Sequence, residues 1–311
     1  MSLAGAKVAV TGATGFLGRY LVDALLDRGV EVIAVVRTPA KARGMADRGV
    51  DVRRADLAEP AALEEAFAGA DAVVSNAALF TLGDQRAEDV IEANVGGTDN
   101  VFSAVAAAGI DRVVHVSSAV AYAPRADHFY REDDPLRDDR GPVHRFNAYA
   151  VSKGCAERLA WTRAKQHSIA LSTLRPHTVF GHGDRGTFTR WFLRFMSPSL
   201  VSAFPVGVRF PPVYAGDLAE AVCRMLERPA ARNRAYNLAS APDAVSYWDL
   251  MEAYRAAGGD TPKLVVPFYF PIRRRYAVDR ARDELDFEPR PLVAAFEDML
   301  LRADREPLAA P

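Results

Sequence analysis

The sequence predicts an α/β fold, a doubly wound parallel sheet with a small, discontinuous C-terminal lobe. Two observations carry this expectation. Short runs rich in Val and Ile alternate with longer stretches of helical periodicity, and the runs are apolar along their length, as strands buried on both faces must be. A glycine-rich turn also joins the first run to the first helical stretch.

Taken in order, the strand-like runs are 7–11, 30–36, 72–75, 112–117 and 169–174, bounded by Gly, Asp or Arg. Between them, 16–28, 60–68, 88–108 and 147–166 carry apolar residues at helical spacing. Such alternation calls for right-handed crossovers with helices on both faces of the sheet. The rhythm changes near residue 177. Residues 178–212 read as loop-rich and aromatic, with Phe180, Phe188, Trp191, Phe192, Phe195, Phe204 and Phe210. A helical pattern at 216–227 and a strand at 235–238 resume the earlier style, and the proline-rich tail from Pro242 offers one helix at 247–257. The expected division is a first domain of 1–177, to which 213–240 return, and a substrate lobe of 178–212 with 241–311.

Composition narrows the class. Half of the 311 residues are hydrophobic and a quarter charged, which excludes a mostly disordered chain. The 39 Lys and Arg nearly cancel the 40 Asp and Glu, so the whole chain makes no electrostatic case for nucleic acid. Its two cysteines, Cys155 and Cys223, cannot build a disulfide framework or a four-thiolate site. The six histidines show no HExxH-like spacing, so no metal is expected. No apolar run reaches the roughly 18 residues of a membrane span. Residues 1–6 lack the basic start of a signal peptide, and a cytoplasmic protein is expected. Glu132-Asp133-Asp134 and Asp138-Asp139-Arg140 read as a solvated loop. Arg273-Arg274-Arg275 reads as solvated surface, the alternative being a grip on an acidic substrate group.

The chemistry begins at Thr11-Gly12-Ala13-Thr14-Gly15-Phe16-Leu17-Gly18, between the first strand and the first helix. Glycines there allow a tight turn and close backbone approach to a pyrophosphate seated on a helix N-terminus, the arrangement of a Rossmann dinucleotide site. Gly12, Thr14, Gly15, Phe16, Leu17 and Gly18 are therefore cofactor-binding candidates, although any tight strand-to-helix turn also uses glycine. The second strand ends at Arg37, nineteen residues after Gly18, where NAD-binding units carry an acid for the ribose hydroxyl. A guanidinium pairs a 2′-phosphate instead, so NADP(H) is preferred and NAD(H) is the alternative. A solvated basic start to a helix is the bland reading of Arg37, Lys41 and Arg43.

Tyr149 and Lys153 stand at i and i+4, on one face of a helix. A phenol with a reference pKa of about 10 shuttles protons poorly at neutral pH unless a nearby ammonium favours the phenolate. Ser118 lies just past the fourth strand, and strand C-termini are where open parallel sheets bind ligands. Taken alone, a Tyr-x-x-x-Lys spacing is common on exposed helices.

These motifs, with Asp56-Leu57, Asn76-Ala77-Ala78, Asn94-Val95-Gly96-Gly97-Thr98, Arg175-Pro176, the stretch 213–219, Tyr236-Asn237-Leu238 and the stretch 279–289, resemble the extended short-chain dehydrogenase/reductase family, also called the NAD-dependent epimerase/dehydratase family. The likeness spans nearly the whole chain. It implies a catalytic Ser118–Tyr149–Lys153 set, in which Tyr149 exchanges a proton with the substrate oxygen as hydride moves to or from nicotinamide. Lys153 would depress the Tyr149 pKa and hold the nicotinamide ribose. Asp56 and Leu57 would meet the adenine, Ala77 and Ala78 would follow the cofactor, Asn94 would sit nearby, and Pro176 and His177 would lie along the nicotinamide. A homodimer pairing the helices at 88–108 and 147–166 is likewise implied.

Within that family the chain departs from the sugar-nucleotide branch. Ala119-Val120 follow Ser118, where dehydratases carry Asp-Glu, and the diphosphate-binding Arg falls at Phe210, with Arg209 adjacent. The pattern looks nearer the 3β-hydroxysteroid dehydrogenase and dihydroflavonol-reductase-like branches. The expected activity is interconversion of a ketone and a secondary alcohol on a hydrophobic or amphipathic small molecule. The alternatives are a sugar-nucleotide epimerase with tightly bound NAD(P) and a non-catalytic cofactor-binding regulator.

Overall fold

The computed structural model describes residues 1–80, 85–126, 128–138, 140–184, 188–198, 201–240 and 245–305. Asp139 and Pro242 lie outside the described residues, as do the side chains of Phe204 and Arg273. The chain runs through β1 (Lys7–Thr11), α1 (Phe16–Leu26), β2 (Glu31–Val36), α2 (Arg43–Ala46), β3 (Asp51–Arg54), α3 (Pro60–Phe67) and β4 (Ala72–Ser75). It continues through α4 (Ala87–Ile91), α5 (Gly97–Ala107), β5 (Arg112–Val116), β6 (Phe129–Tyr130), α6 (Ala148–Gln166), β7 (Ala170–Pro176) and β8 (Thr178–Phe180). Then come α7 (Phe188–Phe195), β9 (Val201–Phe210), β10 (Pro212–Tyr214), α8 (Ala215–Glu227), β11 (Arg234–Leu238), β12 (Val245–Ser246) and α9 (Tyr247–Ala256). The last elements are β13 (Leu264–Arg273), β14 (Arg275–Tyr276), α10 (Asp279–Leu285) and α11 (Leu292–Arg305).

Seven strands pair in parallel in the order β11-β7-β5-β4-β1-β2-β3. The period-two pleat sends alternate residues to opposite faces. Val8 and Val10 enter one core and Ala9 the other; Val32, Ala34 and Val36 likewise part from Ile33 and Val35. Chain order reverses between β1 and β4, and a crevice opens there beyond the strand ends.

The expected α/β alternation holds, with most element ends within two residues of those read from the pattern. Four features were not legible. β3, with the sequence Asp-Val-Arg-Arg, has no apolar run because it is an edge strand with both ends exposed, where charge prevents mispairing. The stretch 88–108 is not one α-helix: a π turn at Glu92–Gly96 separates α4 from α5. Residues expected to be loop-rich instead form β8, α7, β9 and β10. The tail adds β13, α10 and α11 to the expected α9. Proline misled that reading. Pro291 stands just before α11, where a missing N–H leaves no helical bond unmade, and Pro267 sits in β13, which forms one edge of the sheet β12-β9-β13.

An aromatic cluster fastens the late elements to the sheet. Phe296 of α11, fully buried, stacks on Phe192 at 5.4 Å and meets Phe180 at 5.1 Å and Tyr254 at 5.4 Å. Phe296→Ala should lower unfolding stability by about 3–5 kcal/mol, the range for emptying a buried aromatic site; urea denaturation measures it.

Candidate active site

A cleft of about 1730 Å³ follows the strand ends across the switch point. At its centre the glycine turn is required on steric grounds. Gly12 has φ +67°, and a Cβ there would lie 3.0 Å from the Ala77 Cα. A Cβ on Gly18 would lie 2.1 Å from the Gly12 carbonyl oxygen, so α1 approaches its own entry turn only because residue 18 is glycine. Gly15 caps α1 without a side-chain acceptor, and the first turn holds no acid, which suits an anion at that N-terminus. Thr11 Oγ1 accepts from the Asn76 and Ala77 N–H groups at 3.0 and 3.1 Å, holding the ends of β1 and β4 together. This glycine-built cradle fits a dinucleotide.

Gly12, Thr14, Gly15, Phe16, Leu17, Ala77 and Ala78 line the cleft, whereas Gly18 lies behind the turn. Arg37, Asp56 and Leu57 line one end. The Arg37 Nε is 4.0 Å from Asp56 Oδ2, and its side chain is 78% exposed. Arg19 and Lys41 join Arg37 there. Arg19 escaped the sequence reading because it lies one residue past the glycine motif, on a helix face that only the fold turns towards the cleft. Leu57 is held from behind: Asn100 Nδ2 donates to its carbonyl at 2.8 Å, and Gly97 leaves room for its side chain.

The other end gathers Ser118, Tyr149 and Lys153, with Pro176 and His177 beside them. Ser118 follows β5, and its hydroxyl lies beside the Tyr149 phenol and accepts from the Val120 N–H. The Phe80 ring packs edge-on against Tyr149 at 4.8 Å. Burial pushes the Tyr149 phenol up to about 12, with the neighbouring Ser118 hydroxyl acting the other way. The expectation that Lys153 depresses this pKa is therefore corrected: burial prevails, and the counteracting group is Ser118. The Lys153 Nζ instead donates to the Val116 carbonyl at 2.8 Å. Burial brings the Lys153 ammonium down to about 8, opposed by the Glu157 carboxylate one turn on. His177, hydrogen-bonded through Nδ1 to Thr178 at 2.6 Å, is pushed down to about 4 by burial and by Arg274, and is neutral at pH 7.

Asn94 does not line the cleft. Buried in the π turn, it accepts from the Leu79 N–H at 2.6 Å and donates to the Leu79 carbonyl and Ser152 Oγ, both at 2.9 Å. Ser152 Oγ in turn donates to the Tyr149 carbonyl at 2.8 Å. Asn94 thus ties the segment after β4 to the part of α6 that carries Tyr149 and Ser152.

Glu157 is the residue that sequence reasoning missed here, although Tyr149, Lys153 and Glu157 stand at i, i+4 and i+8. Fully buried, it accepts from Arg175 Nη2 at 2.7 Å and Thr173 Oγ1 at 2.8 Å. Burial would raise its pKa, but Arg175 outweighs that and holds it down to about 2. The Arg175 Nη1 donates to Tyr122 Oη at 2.8 Å and to the Glu132 carbonyl at 2.7 Å. Phe188, Trp191, Phe195 and Tyr247 form an aromatic arm beyond this end, while Phe180, Phe192 and Phe210 are core. Among the described residues no group of three or more His, Cys, Asp or Glu could hold a metal, and no helix is long and apolar enough to cross a membrane.

Residues 8–239 match the model of the NAD dependent epimerase/dehydratase family. The chain belongs to that family. That membership, with relatives named as reductases, makes it an NAD(P)-dependent enzyme. Among family relatives it is 28% identical over 320 residues to a dTDP-4-dehydro-6-deoxy-D-allose reductase from a Streptomyces species, covering 95% of each chain. It is 37% identical over 184 residues to a 2-alkyl-3-oxoalkanoate reductase from Stenotrophomonas maltophilia, covering 58% of this chain and 52% of that one. The fold is similar to that of a UDP-N-acetylglucosamine 4-epimerase from Bacillus cereus, with a TM-score of 0.80, 22% identity and 99% of each chain covered.

Glu157→Gln should destabilise the protein by about 3 kcal/mol or more, because it leaves the Arg175 guanidinium buried without its counter-charge. Chemical denaturation at neutral pH tests this. Loss should be smaller at acid pH, since the folded-state pKa of Glu157 is depressed and its contribution fades as pH falls towards about 2.

Proposed function

We propose that the protein is an NADP(H)-dependent oxidoreductase that interconverts a ketone and a secondary alcohol on a hydrophobic or amphipathic small molecule. The observation that carries this reading is the convergence of Ser118, Tyr149 and Lys153 at one end of a cleft that presents Arg19, Arg37 and Lys41 at the other. A bound nicotinamide supplies or takes the hydride. Tyr149, kept protonated by burial, gives its proton to the substrate oxygen during reduction, and Ser118 donates a hydrogen bond to the same oxygen. Lys153 would hold the nicotinamide ribose, its position set by the Val116 carbonyl. Arg37 would pair the 2′-phosphate of NADP(H), a group that an acid at this position would repel. Asp56 and Leu57 would meet the adenine.

The aromatic arm supports an apolar substrate. Phe210 packs on Phe188 and Tyr247 at 5.2 and 5.3 Å, and strand alternation leaves Arg209 exposed, so the position that would bind a sugar nucleotide's diphosphate is core. Relatives named as reductases support net reduction over epimerisation. The full-length likeness to a dTDP-4-dehydro-6-deoxy-D-allose reductase favours a second reading, reduction of a nucleotide-linked keto sugar. In either reading the protein works as a homodimer through α5 and α6.

Purified protein should consume NADPH stoichiometrically with a member of a panel of steroid, flavonoid, β-keto-acyl, aromatic and nucleotide-linked sugar ketones. Tyr149→Phe should cut the rate by about 10²–10⁴-fold. Arg37→Asp should reverse or abolish the preference for NADPH, while NADH turnover persists. An enzyme that prefers NADH from the outset overturns the cofactor assignment. No net consumption, with nicotinamide released on denaturation, supports the epimerase instead.

The pH dependence follows from Lys153. As pH rises through about 8 its ammonium loses its proton, whereas Tyr149 stays protonated to about 12. Reductive kcat/KM should therefore be flat below pH 8 and fall above it. Lys153→Arg, charged throughout, should remove that descending limb whatever its effect on the plateau.

A further inference from the structure

Two guanidinium groups stand at the rim of the cleft, close to its catalytic end. Arg137, half-buried, donates through Nε to the Val120 carbonyl at 3.1 Å, and Val120 lines the cleft two residues past Ser118. Gly154, the residue after Lys153, makes room for it. A Cβ there would lie 2.7 Å from the Arg137 carbonyl oxygen and 2.8 Å from the Arg137 Cβ. The missing side chain therefore seats Arg137 against the helix that carries Tyr149 and Lys153. Arg274 comes from the junction between β13 and β14. Its N–H donates to the Arg209 carbonyl near the end of β9 at 3.1 Å, and two residues on, the Tyr276 ring meets His177 at 5.2 Å. His177 lines the cleft, and the exposed Arg274 guanidinium acts on His177, Tyr276 and Arg137 alike.

The carboxylates around this pair are engaged elsewhere. Between β6 and α6, Asp133 pairs with Arg280 at 3.0 Å, Asp134 with His128 at 2.8 Å, and Asp138 with Arg140. Buried Glu132 accepts from the Asn237 N–H at 3.2 Å. On α9, which follows the strand paired with Arg209, Asp249 accepts from the Ser246 N–H and hydroxyl, and Glu252 from the Trp248 indole. The acids that line the cleft, Asp89, Glu92 and Asp184, act on neither Arg137 nor His177. Among the described residues no carboxylate pairs with Arg137 or Arg274. Two like charges thus stand close together unrelieved, which an oxyanion between them would reverse.

We propose that the substrate carries a carboxylate or phosphate, held at the rim by Arg137 and Arg274 while its apolar part enters the arm of Phe188, Trp191, Phe195 and Tyr247. The inference rests on the oxidoreductase reading of the cleft and narrows its amphipathic substrate to an anionic one. Guanidinium groups donate paired hydrogen bonds to either oxyanion, whereas a neutral ester or amide leaves their repulsion in place.

Titration calorimetry of the full chain loaded with NADP+ tests this, with benzoylpropionate, its methyl ester and phenacyl phosphate as probes. At least one anion should bind about tenfold or more tightly than the ester, as hydrogen bonds to charged groups predict. That advantage should shrink as salt rises, and the anion that shows it assigns the group as carboxylate or phosphate. Arg137→Gln with Arg274→Gln should erase the advantage at an unchanged melting temperature, and Arg274→Gln alone, at an exposed position, should reduce it. Equal binding of the ester and both anions, no binding of either anion, or an advantage that survives the double variant overturns the proposal. NADPH turnover of the ester alone also overturns it and leaves the oxidoreductase reading standing. A preference for anions without turnover of any oxo compound supports the anion site and overturns that reading instead.

Discussion

The buried pair of Glu157 and Arg175 is the interaction on which the rest of the active-site architecture depends. Glu157 belongs to the helix that carries Tyr149 and Lys153, and Arg175 lies near the end of β7, just before Pro176 and His177. Their ion pair fixes α6 against the sheet at the depth where its reactive face meets the cleft. The same guanidinium stacks on Tyr122 at 4.8 Å and reaches the Glu132 carbonyl, so the excursion between β5 and α6 is fastened to one anchor. Removing two charges from water is costly, and this pair persists because hydrogen bonds from Thr173 and Trp161 to Glu157, and from Arg175 to the Tyr122 hydroxyl, complete its surroundings.

That anchor also sets the electrostatics of Lys153. Burial alone would push the lysine further towards neutrality, and the carboxylate one turn away opposes it. The ammonium is thus poised near the working pH instead of far above it. Tyr149 is governed differently. It is enclosed by Phe80 and touched by Ser118, and without a cation acting on it the phenol keeps its proton. Under the proposed function, such a phenol donates to an oxygen that gains charge, which is the demand of reduction.

The opposite end of the cleft follows from topology. Because chain order reverses beside β1, the turn at Gly12 and the segment after β4 face one another, and Thr11 ties them. The positively charged group around Arg37 lies beyond the ends of β2 and β3, on the same side of the sheet. Nothing in the core requires Arg37, whose side chain is mostly exposed, and its value lies in what it can meet.

Much of this was legible in the chain. Runs such as 7–11 and 72–75 are apolar at their centres because both faces of the sheet are covered, and the glycines at 12 and 18 reflect steric limits that a side chain would violate. β3 was invisible because an edge strand is selected for charge, and β13 and α11 because proline reads as a break whether it stands within, before or beside an element. Asn94 carried a familiar motif, yet only the packed structure shows its amide spent on Leu79 and Ser152 instead of facing the cleft. The sequence by itself determined the layers, the glycine cradle and the helical face shared by Tyr149 and Lys153, because these depend on local periodicity and on the size of single side chains. Only the tertiary structure decided the direction of the pKa shifts, the partner of Glu157 and which aromatic residues face the cleft, because burial and opposing charge are set by segments far apart in the chain.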